Sequence, residues 1–194
     1  VKRVAELDYL EKLLEAQRII RHDCMNHFQV VHGYLQIGRP EKAREYLLKA
    51  TESFQRYSVL GKICLPQLQA YLTWVLASIG EQGDFLTIQV EDSLEAWKED
   101  DGEVAEVISA LFEPLLKALS QQQVQCQMLI GGKEYTHIHL LVHGQEDMVK
   151  EYAGRIKACS EAGNLRNFTV RSELTDVLRI QVGKETNNYG NNRQ

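Results

Sequence analysis

Apolar side chains recur at helical spacing from the start of the chain. Projected at about 100° per residue over positions 3–37, Leu7, Leu10, Leu14, Ile20, Cys24, Phe28, Val31 and Leu35 form one stripe that is expected to be buried. Gly38 offers a left-handed stop, and Pro40 suits the first turn of a second helix, where no backbone donor is lost. Ala43, Leu47, Ala50, Phe54 and Tyr57 make the apolar stripe of that helix. Glu45 with Lys49, and Glu52 with Arg56, are i, i+4 pairs for its wet side. Two helices alone cannot enclose both stripes. A second copy alongside would close a four-helix bundle, so a homodimer is expected.

The pattern changes after Leu60-Gly61-Lys62-Ile63. From Leu65 it predicts a helix to about Gly80, a strand over Phe85–Val90 and a helix over Glu103–Leu119. Strands over Val124–Ile130 and Thr136–Val142 follow, then a helix over Glu146–Ala162 and strands over Asn167–Ser172 and Val177–Val182. Gly131-Gly132 reads as a hairpin turn. Such an order predicts an α/β sandwich with largely antiparallel strands and helices on one face of the sheet. The expected fold class is α+β. Residues 1–62 form a dimerizing helical hairpin, 63–185 the sandwich, and 186–194, rich in Asn and Gly, a disordered tail.

The first helix also carries the candidate chemistry. His22 shares a face with Glu11, Glu15, Arg18, Asn26, Gln29 and Gly33, opposite in character to the apolar stripe. It is therefore expected to be exposed, beside Asp23 and one turn from Asn26. An exposed imidazole is a nucleophile that a docking protein can reach. The plainer account is a solvated helical face that happens to hold a histidine. His27 and His32 are rotated away from that face and suit helix–helix boundaries.

Composition narrows the setting. The chain of 194 residues is 44% hydrophobic and 25% charged, ordinary for a globular protein of one or two small domains. A net charge of -5 argues against a general nucleic-acid binder. Cys24, Cys64, Cys126 and Cys159 are widely spaced, which favours reduced thiols over a disulfide frame or a zinc site. No apolar run approaches the ~20 residues of a membrane helix, and a cytoplasmic protein is expected. The chain opens on Val1 rather than Met, which leaves room for an upstream sensor or tether. His137, His139 and His143 can share one strand face, but no matched carboxylate or Cys is near them in sequence, and no metal site is expected. Asp100 and Asp101 before Gly102 read as a loop and helix cap.

The run Arg21-His22-Asp23-Cys24-Met25-Asn26-His27, continuing through Gln29-Val30-Val31, Gly33-Tyr34-Leu35-Gln36 and Gly38, resembles the phosphoacceptor helix of the sporulation initiation phosphotransferase B family. The related dimerization helices of citrate-sensor-type histidine kinases share it. The likeness continues through Arg39-Pro40-Glu41-Lys42-Ala43 and Glu45-Tyr46, and so covers both arms of the hairpin. It implies that His22 carries a phosphoryl group, with Asp23, Asn26 and Arg21 as helpers. Asp23 would orient the imidazole, Asn26 would bond phosphoryl oxygens or a water, and Arg21 would add positive charge.

The order of elements after Leu65 resembles the ATP-binding domain of histidine kinases, without its nucleotide residues. Glu113 and Lys117 stand where two magnesium-binding asparagines would fall, and Pro114 is expected to interrupt that helix. The strand ending at Val142 runs into His143-Gly144-Gln145-Glu146, where the family's Asp-x-Gly-x-Gly would stand. Ala162-Gly163-Asn164 reads as an ordinary turn in place of a glycine-rich lid, and no P-loop is present. The resemblance thus implies a degenerate, ATP-independent kinase fold in a phosphorelay phosphotransferase. Its partners would be response-regulator receiver domains. It would need no cofactor of its own, magnesium being supplied by the receiver. A sensor histidine kinase with a divergent ATP site is the rival enzyme, and a dimer that only binds and inhibits a receiver is the rival binding protein.

Overall fold

The structure, a computed structural model, describes residues 2–80, 85–121, 123–131, 137–161, 168–174 and 177–184. Two helices, α1 (Lys2–Gln36) and α2 (Pro40–Ser58), form the hairpin. Gly38, at φ +69°, makes the stop that the sequence predicts. Its N–H donates to Leu35 and that of Arg39 to Tyr34, the crossed pair of bonds that satisfies the last carbonyls of a helix. Pro40 opens α2 at once. Between the arms, Ala43 and Ala50 are buried, and the His27 ring lies against Tyr46 and Phe54.

A short 3-10 helix, Val59–Lys62, leads into α3 (Pro66–Ile79), β1 (Leu86–Val90), α4 (Asp101–Ser120), β2 (Val124–Ile130), β3 (His137–Gly144), α5 (Glu146–Glu161), β4 (Phe168–Leu174) and β5 (Leu178–Lys184). The five strands make one mixed sheet in the order β1-β2-β3-β5-β4. Only β1 and β2 run parallel; the other neighbours are antiparallel. Alternation gives the sheet a core face, with Ile88, Met128, Leu140 and Ile180 on it, and an open face. α4 and α5 lie on the core face, α3 packs on α4, and α1 packs along α3.

Three features depart from the sequence expectation. The stripe expected to be buried on α1 is not buried by one chain: Leu10, Leu14, Phe28 and Leu35 are 51–57% exposed. A single copy covers α1 from the side of Tyr9, Ala16 and His27, and among the described residues Leu10, Leu14, Phe28 and Leu35 on the other side stay more than half exposed. Pro114 does not interrupt its helix, because α4 runs through it unbroken. Leu111, Phe112 and Leu115 are buried around the proline, and their packing outweighs one lost backbone bond. On the same helix, the Leu111 carbonyl accepts the Tyr152 hydroxyl at 2.5 Å. The stretch after β1 is not a plain loop either. It holds a 3-10 helix, Glu95–Asp100, which buries Trp97 edge-on against Phe168.

The connection through Gly132, the turn at Ala162-Gly163-Asn164 and the tail 186–194 lie outside the described residues. Gly131 is described, and its place demands glycine. At φ +120° a Cβ there would stand 2.7 Å from the Asp92 nitrogen.

Asp101 is a cap, though not for its own helix. Its carboxylate accepts the Gln67 N–H at 2.9 Å and the Leu68 N–H at 3.1 Å, closing the start of α3 from 34 residues away. α3 needs this help, since its flanking residue Leu65 offers no side-chain acceptor. Asp101→Ala should therefore destabilise the fold by about 1–2 kcal/mol. Urea melts of the two proteins measure this, and an unchanged midpoint would remove the cap from the account.

Candidate functional site

The middle of α1 carries Arg21, His22, Asp23 and Asn26 at the hairpin surface. His22 points outward, its side chain 73% exposed, while Asp23 is drawn in to 29%. Among the described residues, the ring's polar contacts come from its own helix. Asp23 Oδ1 stands 3.4 Å from His22 Nδ1, and Asn26 Nδ2 stands 3.2 Å from the same atom. Nε2 has no hydrogen-bond partner among the described residues. Arg21 is exposed beside it and lines a shallow apolar hollow with Ile20, Cys24, Met25 and Phe54. The geometry thus gathers His22, Asp23 and Asn26 around one ring nitrogen. Asn26 reaches the ring rather than outward toward an incoming group.

The neighbouring histidines divide. His27 is buried at the boundary between the arms, where its Nδ1 meets the Tyr46 hydroxyl at 3.0 Å. His32 is exposed instead of lying at a boundary, because α2 crosses on the other side of α1.

A second polar contact on the His22 face was not visible in the sequence. Two turns below His22, Glu15 accepts the indole N–H of Trp74 from α3 at 2.8 Å. Lys12 lies 5.5 Å above the same ring, held also by Asp8 at 2.6 Å. Tyr9 is buried in the seam. Burial, then the charges of Glu106, Asp8 and Asp101, push its phenol well above the ordinary range, so it stays protonated next to Ser109. Trp74 therefore belongs to this seam, whereas Tyr71 and Leu72 lie in the core. Only the pairing of α1 with α3 reveals this, since the partners are 59 residues apart.

Elsewhere the chemistry is thinner. A hollow of about 620 Å³ occupies the open sheet face, lined by Gln89, Gln127, His139, Arg179 and Gln181. It lies across the sheet from α4 and therefore from α1. His137 and His139 meet edge to face there, with ring centroids 4.2 Å apart. Burial, with a smaller push from His137, lowers the His139 pKa. Among the described residues no three His, Cys, Asp or Glu side chains gather as a metal site would require. Burial pushes the Cys126 thiol up to about 12, far from a reactive thiolate. Between α4 and α5 a hollow of about 340 Å³ is lined by Pro114, Lys117, Val142, Met148, Tyr152 and Arg155. No helix among the described residues is long and apolar enough to cross a membrane.

A long hairpin with an outward histidine, joined to a mixed five-stranded sheet with helices, is the arrangement in hand. Residues 2–63 match the family described as Sensor_kinase_SpoOB-type, alpha-helical domain. That part of the chain is similar to a SpoOB-type helical domain. The sensor histidine kinase DcuS of Escherichia coli (strain K12) is 29% identical over 126 residues, and DcuS of Shigella flexneri matches equally. The match covers 62% of this chain and 23% of DcuS, so the chain corresponds to less than a quarter of that relative's length.

Proposed function

We propose that the protein is a dimeric histidine phosphotransferase of a two-component phosphorelay. It takes a phosphoryl group from the aspartate of one response-regulator receiver onto His22 and passes it to another. The observation that carries this reading is an exposed His22 whose ring, among the described residues, is hydrogen-bonded at Nδ1 and not at Nε2, within a stretch that matches the SpoOB-type helical domain. Nε2 attacks the phosphorus in line. Such transfer asks the protein for positioning and charge neutralization more than for covalent help. Asp23 orients the ring and Arg21 lends positive charge to the transition state. The receiver's acidic pocket supplies the magnesium.

Residues 1–62 dimerize and carry the phosphate, and residues 63–185 are a kinase-like sandwich that no longer uses ATP. Glu113 and Lys117 face water on α4, and β3 passes within two residues into α5, whose Tyr152 is buried against α4. Calorimetry with magnesium-ATP should therefore give no binding heat, and radioactive ATP alone should leave no label. A second reading, a sensor kinase with a divergent ATP site, is favoured by the similarity to DcuS extending over 126 residues, well beyond the hairpin. Micromolar ATP binding or labelling from ATP would install that reading instead. The central assay is transfer from phosphorylated receivers, run with and without ATP.

A further inference from the structure

His22 Nδ1 has two neighbours of opposite demand. An ionised Asp23 Oδ1 can only accept a hydrogen bond, and Asn26 Nδ2 can only donate one. A neutral imidazole nitrogen offers either a proton or a lone pair, so only one of these contacts is a hydrogen bond at a time. If Nδ1–H donates to Asp23, the lone pair is on Nε2 and the ring is a nucleophile. If Asn26 donates to Nδ1, the proton sits on Nε2 and that nitrogen cannot attack. The contact with Asn26 is the shorter of the two. At 3.2 Å the Asn26 contact falls within hydrogen-bond range, whereas 3.4 Å to Asp23 is long for a charge-assisted bond.

We propose that Asn26 is a positioning residue that holds resting His22 in the Nε2–H tautomer and afterwards stabilises the loaded phosphohistidine, in opposition to Asp23. This rests on the phosphotransfer reading and gives the two helpers different tasks. For attack, Nδ1 must carry the proton and Asp23 must close on it. The Nε2 lone pair then forms the N–P bond while the bond from phosphorus to the receiver's aspartyl oxygen breaks, its electron pair leaving as the carboxylate. The ring is briefly an imidazolium, and Nδ1 loses its proton to water. The neutral phosphohistidine now has a lone pair on Nδ1, which the Asn26 amide can satisfy. In that state loss of the phosphoryl group would expel an imidazolate, a poor leaving group. Onward transfer reverses the order. Nδ1 regains a proton and turns to Asp23, the next receiver's carboxylate attacks phosphorus, and the N–P pair returns to Nε2 of a neutral imidazole.

The tautomer can be read without any phosphate. Nitrogen NMR of protein labelled at histidine should show His22 mainly as the Nε2–H form, and Asn26→Leu should move it toward Nδ1–H. The loaded state is read by phosphorylating His22 with phosphoramidate, without a receiver, and following release of phosphate into buffer. Losing one hydrogen bond of about 1–1.5 kcal/mol should speed that release roughly tenfold in Asn26→Leu. An Nδ1–H tautomer in the wild-type protein, or equal release rates in the two proteins, would overturn the proposal. Wild-type protein that accepts nothing from phosphorylated receivers while showing the Nε2–H tautomer would instead sink the phosphotransfer reading and leave the tautomer assignment standing.

Discussion

His22→Gln is expected to abolish acid-labile phosphate uptake from a phosphorylated receiver while leaving the fold intact. Among the described residues the ring's polar partners are Asp23 and Asn26 on its own helix, and the side chain is mostly in water, so little packing is lost with it. Stability should stay within about 0.5 kcal/mol of wild type, as for other surface changes. Transfer has no such reserve. A glutamine amide cannot form a phosphoramidate of comparable reactivity, and no other imidazole shares the face: His27 is buried and His32 lies round the helix. Transfer assays and thermal melts of the one variant test both halves. Label on His27 or His32 would displace the assignment, and an unfolded variant would make His22 a structural residue.

Leu14→Lys should convert the proposed dimer into monomers. Leu10, Leu14, Met25, Phe28 and Leu35 form an exposed stripe on α1 in one chain, and Leu47 and Leu48 are exposed on α2. Monomeric proteins seldom leave an apolar patch of more than a few hundred Å² uncovered. Burying one leucine side chain contributes about 1.5–3 kcal/mol, and a symmetric dimer loses two. A loss of about 3 kcal/mol alone weakens association roughly 100-fold, before the cost of desolvating two ammonium groups is added. Sedimentation equilibrium of wild type and variant reads this directly. Phe28→Asp should behave alike, and a wild-type monomer at micromolar concentration would end the bundle reading.

The hairpin was the most legible part of the chain, because its signals are local. Gly38, Pro40 and a period of 3.6 each act within a few residues, and the structure places the turn as they require. Order and type of the later strands and helices were also legible from alternation. What sequence reading overrated was the breaking power of Pro114, since Leu111, Phe112 and Leu115 are buried in a helix that packs on α3, β2 and α5, elements remote in the chain. The exposure of His22 followed from helical phase. The crowding of Asp23 and Asn26 onto one ring nitrogen did not, because it depends on side-chain rotamers rather than on phase. Glu15 with Trp74, and Asp101 with the start of α3, lay beyond reach for a simpler reason: nothing local links residues so far apart.

The seam on α1 bears on how the chain folds. Tyr9 belongs to the same continuous core as Leu60, Ile63 and Leu65 at the joint and Trp97 beyond it. The Cys64 N–H, at the joint itself, is bonded to the Ser93 carbonyl on the far side of β1. Hairpin and sandwich therefore share an interior, and the step from residue 62 to 63 passes through packed side chains instead of through a hinge. Cutting there would not release two domains. Each piece would carry an open half of the same core, so the two parts of this protein stand or unfold as one cooperative unit.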